Sequence, residues 1–179
     1  MGIKTLKFLG LFLLLTTLTG CPGGDEDDCF DYGGSTRVDN LIALTPLQTV
    51  YNQGDIITIK AEIAAANNYF GGPLNLFDAT NDYQARLVTT SKYLFAGNQV
   101  TYVKGSIEAY EGGWSNVPYN SSTGNYELEI KVQLNKIGVY SFFTDDSFEF
   151  QGASKCNRYR IDSNISGWNS QGKIEFTVQ

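Results

Sequence analysis

The sequence predicts an all-β domain of about seven to nine short antiparallel strands. Three observations predict it. Residues 125–134 alternate strictly, with Tyr126, Leu128, Ile130, Val132 and Leu134 on one side and Glu127, Glu129, Lys131 and Gln133 on the other. A period of two with one wet face is a half-buried antiparallel strand. The same alternation returns over 55–63, with Ile57, Ile59, Ala61 and Ile63 facing inward, and over 173–178, with Ile174, Phe176 and Val178 facing inward. Clusters of Gly, Asn and Ser separate such runs, as at 52–55 and 121–125, and no stretch carries convincing helical periodicity.

The remaining strands are expected at 38–44, 83–90, 99–110, 139–144 and 158–161. Residues 64–82 read as a long loop of about nineteen residues, a length that usually carries function or mobility. A short helical turn is expected at 63–67, and Tyr69 and Phe70 are exposed on the loop. Residues 110–120 also read as a loop, because Gly112-Gly113 and Val117-Pro118 interrupt regular structure.

So many short strands in one domain imply a sandwich or a barrel. The run Leu134-Asn135-Lys136-Ile137-Gly138-Val139-Tyr140 decides between them. It resembles the tyrosine corner of immunoglobulin-like domains, where one strand ends in Leu and Gly-x-Tyr opens the next. The resemblance implies an immunoglobulin-like antiparallel β-sandwich and a structural Tyr140, whose hydroxyl bonds back to nearby backbone. It covers seven residues, so it supports a fold class and no particular family. The Cys–Trp–Cys core of antibody domains is absent. A small lipocalin-like β-barrel is the alternative, although the Gly-x-Trp usual near its first strand is missing.

The N-terminus has its own logic. Lys4 and Lys7 precede an apolar run over 8–18, which is too short to span a bilayer, a task for roughly twenty residues. Leu18-Thr19-Gly20-Cys21 follows and resembles the lipobox of bacterial lipoproteins. That resemblance implies a signal peptide over 1–20, cleavage before Cys21, and acylation of its thiol and new amine. Several acyl chains on one residue anchor stably where one would not. Pro22 stands where an Asp would signal retention in the inner membrane of a Gram-negative cell. Asp25-Glu26-Asp27-Asp28 resembles the acidic signal that sends some lipoproteins to the outer leaflet. The expected location is therefore the outer membrane, lipid-anchored and at the cell surface, with the periplasmic face as the alternative. Residues 21–35 read as the lipidated acidic tether and 36–179 as one β-sandwich domain.

Composition narrows function. The chain has 13 basic and 19 acidic residues, and five of the acids (Asp25, Glu26, Asp27, Asp28 and Asp31) sit in the tether. The body is nearly balanced, so nothing resembles a nucleic-acid footprint. There is no histidine, which excludes Ser-His-Asp and Cys-His nucleophile systems and every histidine metal site. Of the three cysteines, Cys21 is assigned to lipid. Cys29 and Cys156 are left to pair in an oxidising envelope or to stay as thiols. A disulfide closing so long a loop is worth about 5 kcal/mol on the loop-entropy account.

Tyr110, Trp114 and Tyr119 are the candidate ligand-binding residues of the 110–120 segment, and Trp168 is a second loop tryptophan. Aromatic rings stack on the C–H faces of sugars while nearby Asn and Glu bond hydroxyls. The competing reading has both tryptophans folded into the core. Asp78, Asn81 and Asp82, and the pair Asp145-Asp146, are hard oxygen donors without a calcium-loop pattern, so turn capping is the simpler account and no metal site is expected. Glu108 and Glu111 are acids three apart that a glycosidase would need as a pair. The expected function is a binding or interaction module for a glycan or an envelope protein, with no cofactor and no enzymatic activity. An accessory subunit of an outer-membrane complex is the second reading, and a carboxylate-dependent glycoside hydrolase the third.

Overall fold

A computed structural model describes residues 32–89, 91–107, 114–151 and 157–179. Cys21, Cys29, Cys156, Tyr110, Glu108 and Glu111 lie outside the described residues, as does the signal peptide. Among the described residues there are fifteen strand segments: β1 (Tyr32–Arg37), β2 (Ile42–Thr45), β3 (Val50–Tyr51), β4 (Ile56–Ala64), β5 (Ala66–Asn67), β6 (Leu74–Asn75), β7 (Gln84–Val88), β8 (Gln99–Lys104), β9 (Ser106–Ile107), β10 (Trp114–Asn120), β11 (Asn125–Gln133), β12 (Gly138–Phe143), β13 (Asp146–Gln151), β14 (Arg158–Ser163) and β15 (Lys173–Val178). Four of these are two-residue pieces. The other eleven are between four and nine residues long.

The strand order explains the fold class. β2-β4-β11-β8 lie side by side, as do β7-β13-β14. These are the A-B-E-D and C-F-G orders of an immunoglobulin-like sandwich. β1 extends the second group beyond β14, β10 and β9 extend it beyond β7, and the end of β10 pairs with β11, so the two groups are hydrogen-bonded into one ten-stranded sheet. β12 and β15 form a separate sheet with β3. Two pairings are parallel, β1 with β14 and β15 with β3, so the sandwich is not wholly antiparallel.

The inner faces follow the sequence pattern. Ile57, Ile59 and Ile63 of β4 lie beside Leu128, Ile130 and Val132 of the neighbouring β11, and in the buried core they are joined by Leu87, Phe148, Phe150 and Ile161 of β7, β13 and β14. Tyr126 and Phe150 meet edge-on at 4.9 Å, and the Tyr126 hydroxyl donates to the Asp82 carbonyl at 2.8 Å. Burial pushes that phenol well above its ordinary range.

Tyr140 occupies the corner that links the sheets. Its hydroxyl donates to the Lys136 carbonyl at 2.8 Å, and its ring stacks on Phe176 at 4.9 Å. Asn98 completes the corner by accepting from the Asn135 and Lys136 backbone N–H groups at 2.8 and 3.1 Å. Bonds of this kind each contribute about 1 kcal/mol, and more is lost when a buried partner is left unmade.

Several expectations are corrected. β1 starts at Tyr32, inside the segment read as tether, and the chain breaks at 38–41 before β2, so 38–44 is not one strand. The 64–82 segment is structured: β5 and β6 pair, and a helix α1 (Leu76–Thr80) follows, capped by the Asn75 side chain accepting from the Phe77 and Asp78 N–H groups. The turn expected at 63–67 is strand instead. Residues 114–120 form β10 rather than a loop. Pro118 is tolerated there because the ladder to β7 ends at Pro118 and the ladder to β11 begins at Tyr119.

The passage between the two groups of strands depends on Gly105. It lies between β8 and β9 at φ 89°, and a Cβ there would sit 2.4 Å from the Asn116 carbonyl oxygen. Only glycine satisfies both conditions.

Candidate functional site

The four arginines of the chain, Arg37, Arg86, Arg158 and Arg160, all lie on one surface. Alternation places them there. Ala85 and Leu87 of β7, Phe148 and Phe150 of β13, and Ile161 and Ser163 of β14 are buried. Their neighbours Arg86, Glu149, Gln151, Arg158, Arg160 and Asp162 therefore point outward. Pairing then sets these residues in rows across the sheet. One row runs Ser35, Arg160, Glu149, Arg86, Asn116, Ser106. The next runs Arg37, Asp162, Ser147, Val88, Trp114.

Three of the arginines have partners. Arg37 bonds Asp39 at 2.9 Å and approaches Asp145 at 3.6 Å. Arg86 lies over the Trp114 ring, 4.6 Å from its centroid. Arg160 donates to Asp162 at 2.7 Å and reaches Glu149 at 3.5 Å. The hydrogen bond to Asp162 holds its guanidinium even more firmly protonated than usual. Arg158 differs. Its Nε is shielded from solvent and has no hydrogen-bond partner, and no carboxylate among the described residues pairs with it.

Two cavities open along the same rows. One, of about 300 Å³, lies between β1, β13 and β14 and is lined by Ser35, Glu149, Gln151, Arg158, Tyr159 and Arg160. The other, of about 110 Å³, is lined by Asp82, Gln84, Arg86, Glu149 and Gln151. Glu149 and Gln151 belong to both, so the two continue one another from β14 to β7. The glycine pair at the start of β1 lets it sit close. A Cβ on Gly33 would approach the Tyr159 ring to 2.6 Å, and one on Gly34 would approach Phe70 to 2.9 Å. Phe70 in turn meets Tyr159 edge-on at 5.1 Å.

The aromatic candidates separate. Trp114 is 37% exposed on the arginine face. Tyr119 turns to the other side of β10, where it stacks on Phe77 at 4.0 Å and packs against the core. The two do not form one platform, because an odd separation along a strand sends side chains to opposite faces. Trp168 is 43% exposed. It lines a cavity of about 190 Å³ with Arg37, Phe143 and Asp145. Both tryptophans thus lie outside the core, one at each end of the Arg37–Trp114 row. Four strand spacings separate the ends of that row, roughly 19 Å. Tyr110 lies outside the described residues.

Asp78 lies in the first turn of α1, where its backbone N–H bonds the Asn75 side chain, and Asp82 joins two distant segments. The Asp82 carboxylate accepts from the backbone N–H groups of Gln84 and Gln151 at 2.9 and 2.8 Å. Among the described residues no three His, Cys, Asp or Glu side chains cluster as a metal site requires. The arginine face was missed in the sequence. Its one local signal is Arg158-x-Arg160-x-Asp162, three charges at a spacing of two beside buried Ile161 and Ser163.

No protein-family model matches the chain, and no curated protein matches it. Among solved structures it is similar to the ASH / PapD-like domain of human CEP192 (PapD-like domain 7), at 10% identity and a TM-score of 0.23, over 74% of this chain and 82% of that one. At that TM-score nothing passes from the neighbour to this chain.

Proposed function

We propose that the protein is a lipid-anchored binding module of a Gram-negative outer membrane, held at the cell surface through Cys21. On this reading it takes a glycan chain along the outer face of the β1-β14-β13-β7-β10 sheet. The observation that carries the reading is the gathering of all four arginines, Trp114 and two adjoining cavities on one face. Rings that stack on sugars, forks that bond acidic or hydroxyl oxygens, and an elongated groove together suit a polymer better than a small metabolite. No catalytic role is assigned. Glu108 and Glu111, the acids a hydrolase would use, lie outside the described residues.

Affinity electrophoresis of the mature protein through gels containing neutral or acidic polysaccharides tests this function. Retardation by at least one is expected. Trp114→Ala should weaken it about 30-fold, the loss of roughly 2 kcal/mol typical of a central aromatic anchor, with an unchanged melting temperature. No retardation by any polysaccharide removes the glycan reading. Protease shaving of intact cells tests display: protection of the domain would place it in the periplasm.

A second reading, an accessory subunit of an outer-membrane complex, is favoured by the other exposed surface. Val139, Thr177 and Val50 form one row across β12, β15 and β3, and Ile137 and Phe143 flank it at 60% and 58% exposure. Cross-linking in whole cells followed by purification should then return a second envelope protein. Recovery of the lipoprotein alone would count against that reading.

A further inference from the structure

We infer that the cavity between β1, β13 and β14 is an anion subsite that takes a carboxylate of an acidic polysaccharide, with Arg158 supplying the guanidinium fork. The inference deepens the glycan reading and rests on it.

Charge accounting comes first. Arg37, Arg86 and Arg160 are each engaged by a carboxylate or an aromatic face, whereas Arg158 has neither among the described residues. A guanidinium stays charged under all ordinary conditions, so it cannot lower the cost of partial burial by losing its proton. Its Nε is shielded with no acceptor, which costs more than a solvated donor. A guanidinium that borders a cavity and has no carboxylate partner among the described residues is placed to pair with an anion that arrives.

The cavity fits that role. Its volume of about 300 Å³ lies at the small end of ligand sites. Phe150 and the half-buried Tyr159 give it an apolar wall, while Ser35 and Gln151 offer hydroxyl and amide groups. Glu149 also lines it, but Arg160 approaches that carboxylate at 3.5 Å and Arg86 is its register neighbour on β7. Its charge is therefore offset on both sides. Arg37 is matched by Asp39 and Asp145, and Arg160 by Asp162 and Glu149, so Arg158 is the cation beside this cavity that no carboxylate among the described residues pairs with.

A carboxylate matches the planar fork with two parallel hydrogen bonds. The polymer class follows from what surrounds the subsite. β14 and β10 are three strand spacings apart, roughly 14 Å, so a ligand that reaches both Arg158 and Trp114 spans more than one ring. The exposed indole at the far end provides a stacking surface for a saccharide, which an acidic peptide does not need.

The test uses the mature lipidated protein in detergent, with polygalacturonate and hyaluronate as probes. Each is compared with its fully methyl-esterified form, which keeps the backbone and removes the charge. Dextran and xyloglucan are the neutral controls. At least one acid form should bind tenfold or more tighter than its ester. Arg158→Gln should abolish that preference while leaving ester binding intact, and Arg158→Lys should restore only part of it. Ser35→Phe, which fills the cavity from β1, is the second variant and should act as Arg158→Gln does. Equal binding of acid and ester, or binding of the neutral controls alone, overturns the subsite and leaves the glycan reading standing. Retention of the preference by Arg158→Gln or Ser35→Phe overturns the assignment to Arg158. Tighter binding of polyglutamate than of either polysaccharide overturns the polymer class. Binding of none of the polysaccharides overturns both readings.

Discussion

The two broad outer faces of the sandwich cover the same kind of apolar core and carry opposite chemistry. On the β2-β4-β11-β8 face the charges are lysines and glutamates, and two pairs form among them: Lys60 with Glu129 at 3.2 Å, and Lys104 with Glu127. On the β1-β14-β13-β7-β10 face the cations are arginines, one of them without an anion partner among the described residues, beside an exposed indole and two cavities. The first face pairs its two least exposed carboxylates, Glu127 and Glu129, within the fold. The second leaves part of its electrostatics open. The comparison teaches that residue type, and not charge count, separates the supporting sheet from the candidate binding sheet: lysine gives a compact charge on a flexible stem, while arginine gives a rigid fork.

The sharpest break of this division is at the glycine that lets the chain pass from one group of strands to the other. Gly105→Val should destabilise the protein by at least about 3 kcal/mol, from a positive φ and a backbone clash together. A chemical denaturation midpoint equal to wild type would show that neither the positive φ nor the approach of Asn116 constrains residue 105.

The next effect lies within the supporting face. Glu127 is 7% exposed. Lys104 first, and then Thr123 at 2.8 Å and Asn120 at 3.3 Å, hold its carboxyl below the usual range. Because the native pKa is depressed, the stabilisation is fully present above the unfolded value, roughly 4.3 for Glu, and fades as pH falls through the lower native value. Glu127→Gln should cost about 1.5 kcal/mol at neutral pH, and the gap to wild type should close in acid. Urea titrations at pH 7 and pH 3 check both, and a gap that widens in acid would reverse the assignment. Polysaccharide binding should not change, which keeps this face distinct from the other.

The smallest effect is expected at Lys60→Ala. Its side chain is 57% exposed, so the pair with Glu129 should be worth less than about 0.5 kcal/mol and vanish in high salt. A larger loss would mean that the supporting face depends on its exposed ion pairs as well as on Glu127.

How legible this was depended on how local each feature is. β4, β11 and β15 could be read because one apolar and one polar face alternate without a break. Tyr140 was legible because a corner is a short contiguous pattern, and its bond to Lys136 spans only four residues. β10 was not, since Pro118 speaks against a strand until one sees that it sits where the strand changes partners. β13 was hidden behind Asp145-Asp146, which looks like a turn although Asp146 is 2% exposed. Glu127 alternates with apolar residues and so reads as wet, but its burial comes from Lys104 on β8 and from the turn before β11. The arginine face was least legible of all. Its members come from β1, β7 and β14, and only the C-F-G order with β1 added at its edge brings them together.

The parallel pairing of β1 with β14 has a mechanical consequence. In a parallel pair both strands begin at the same end, so the chain arriving at Tyr32 comes in opposite Arg158. Tension between an anchor upstream of β1 and a polymer held at Arg158 would therefore cross one ladder, five register pairs from Tyr32–Arg158 to Arg37–Asp162, and bypass the sandwich core. Under pulling, β1 would peel away before the two sheets separate, at a rate set by the strength of that ladder and not by global stability. Peeling β1 would carry Ser35 away from the cavity beside Arg158, so release of the strand and loss of that subsite would go together.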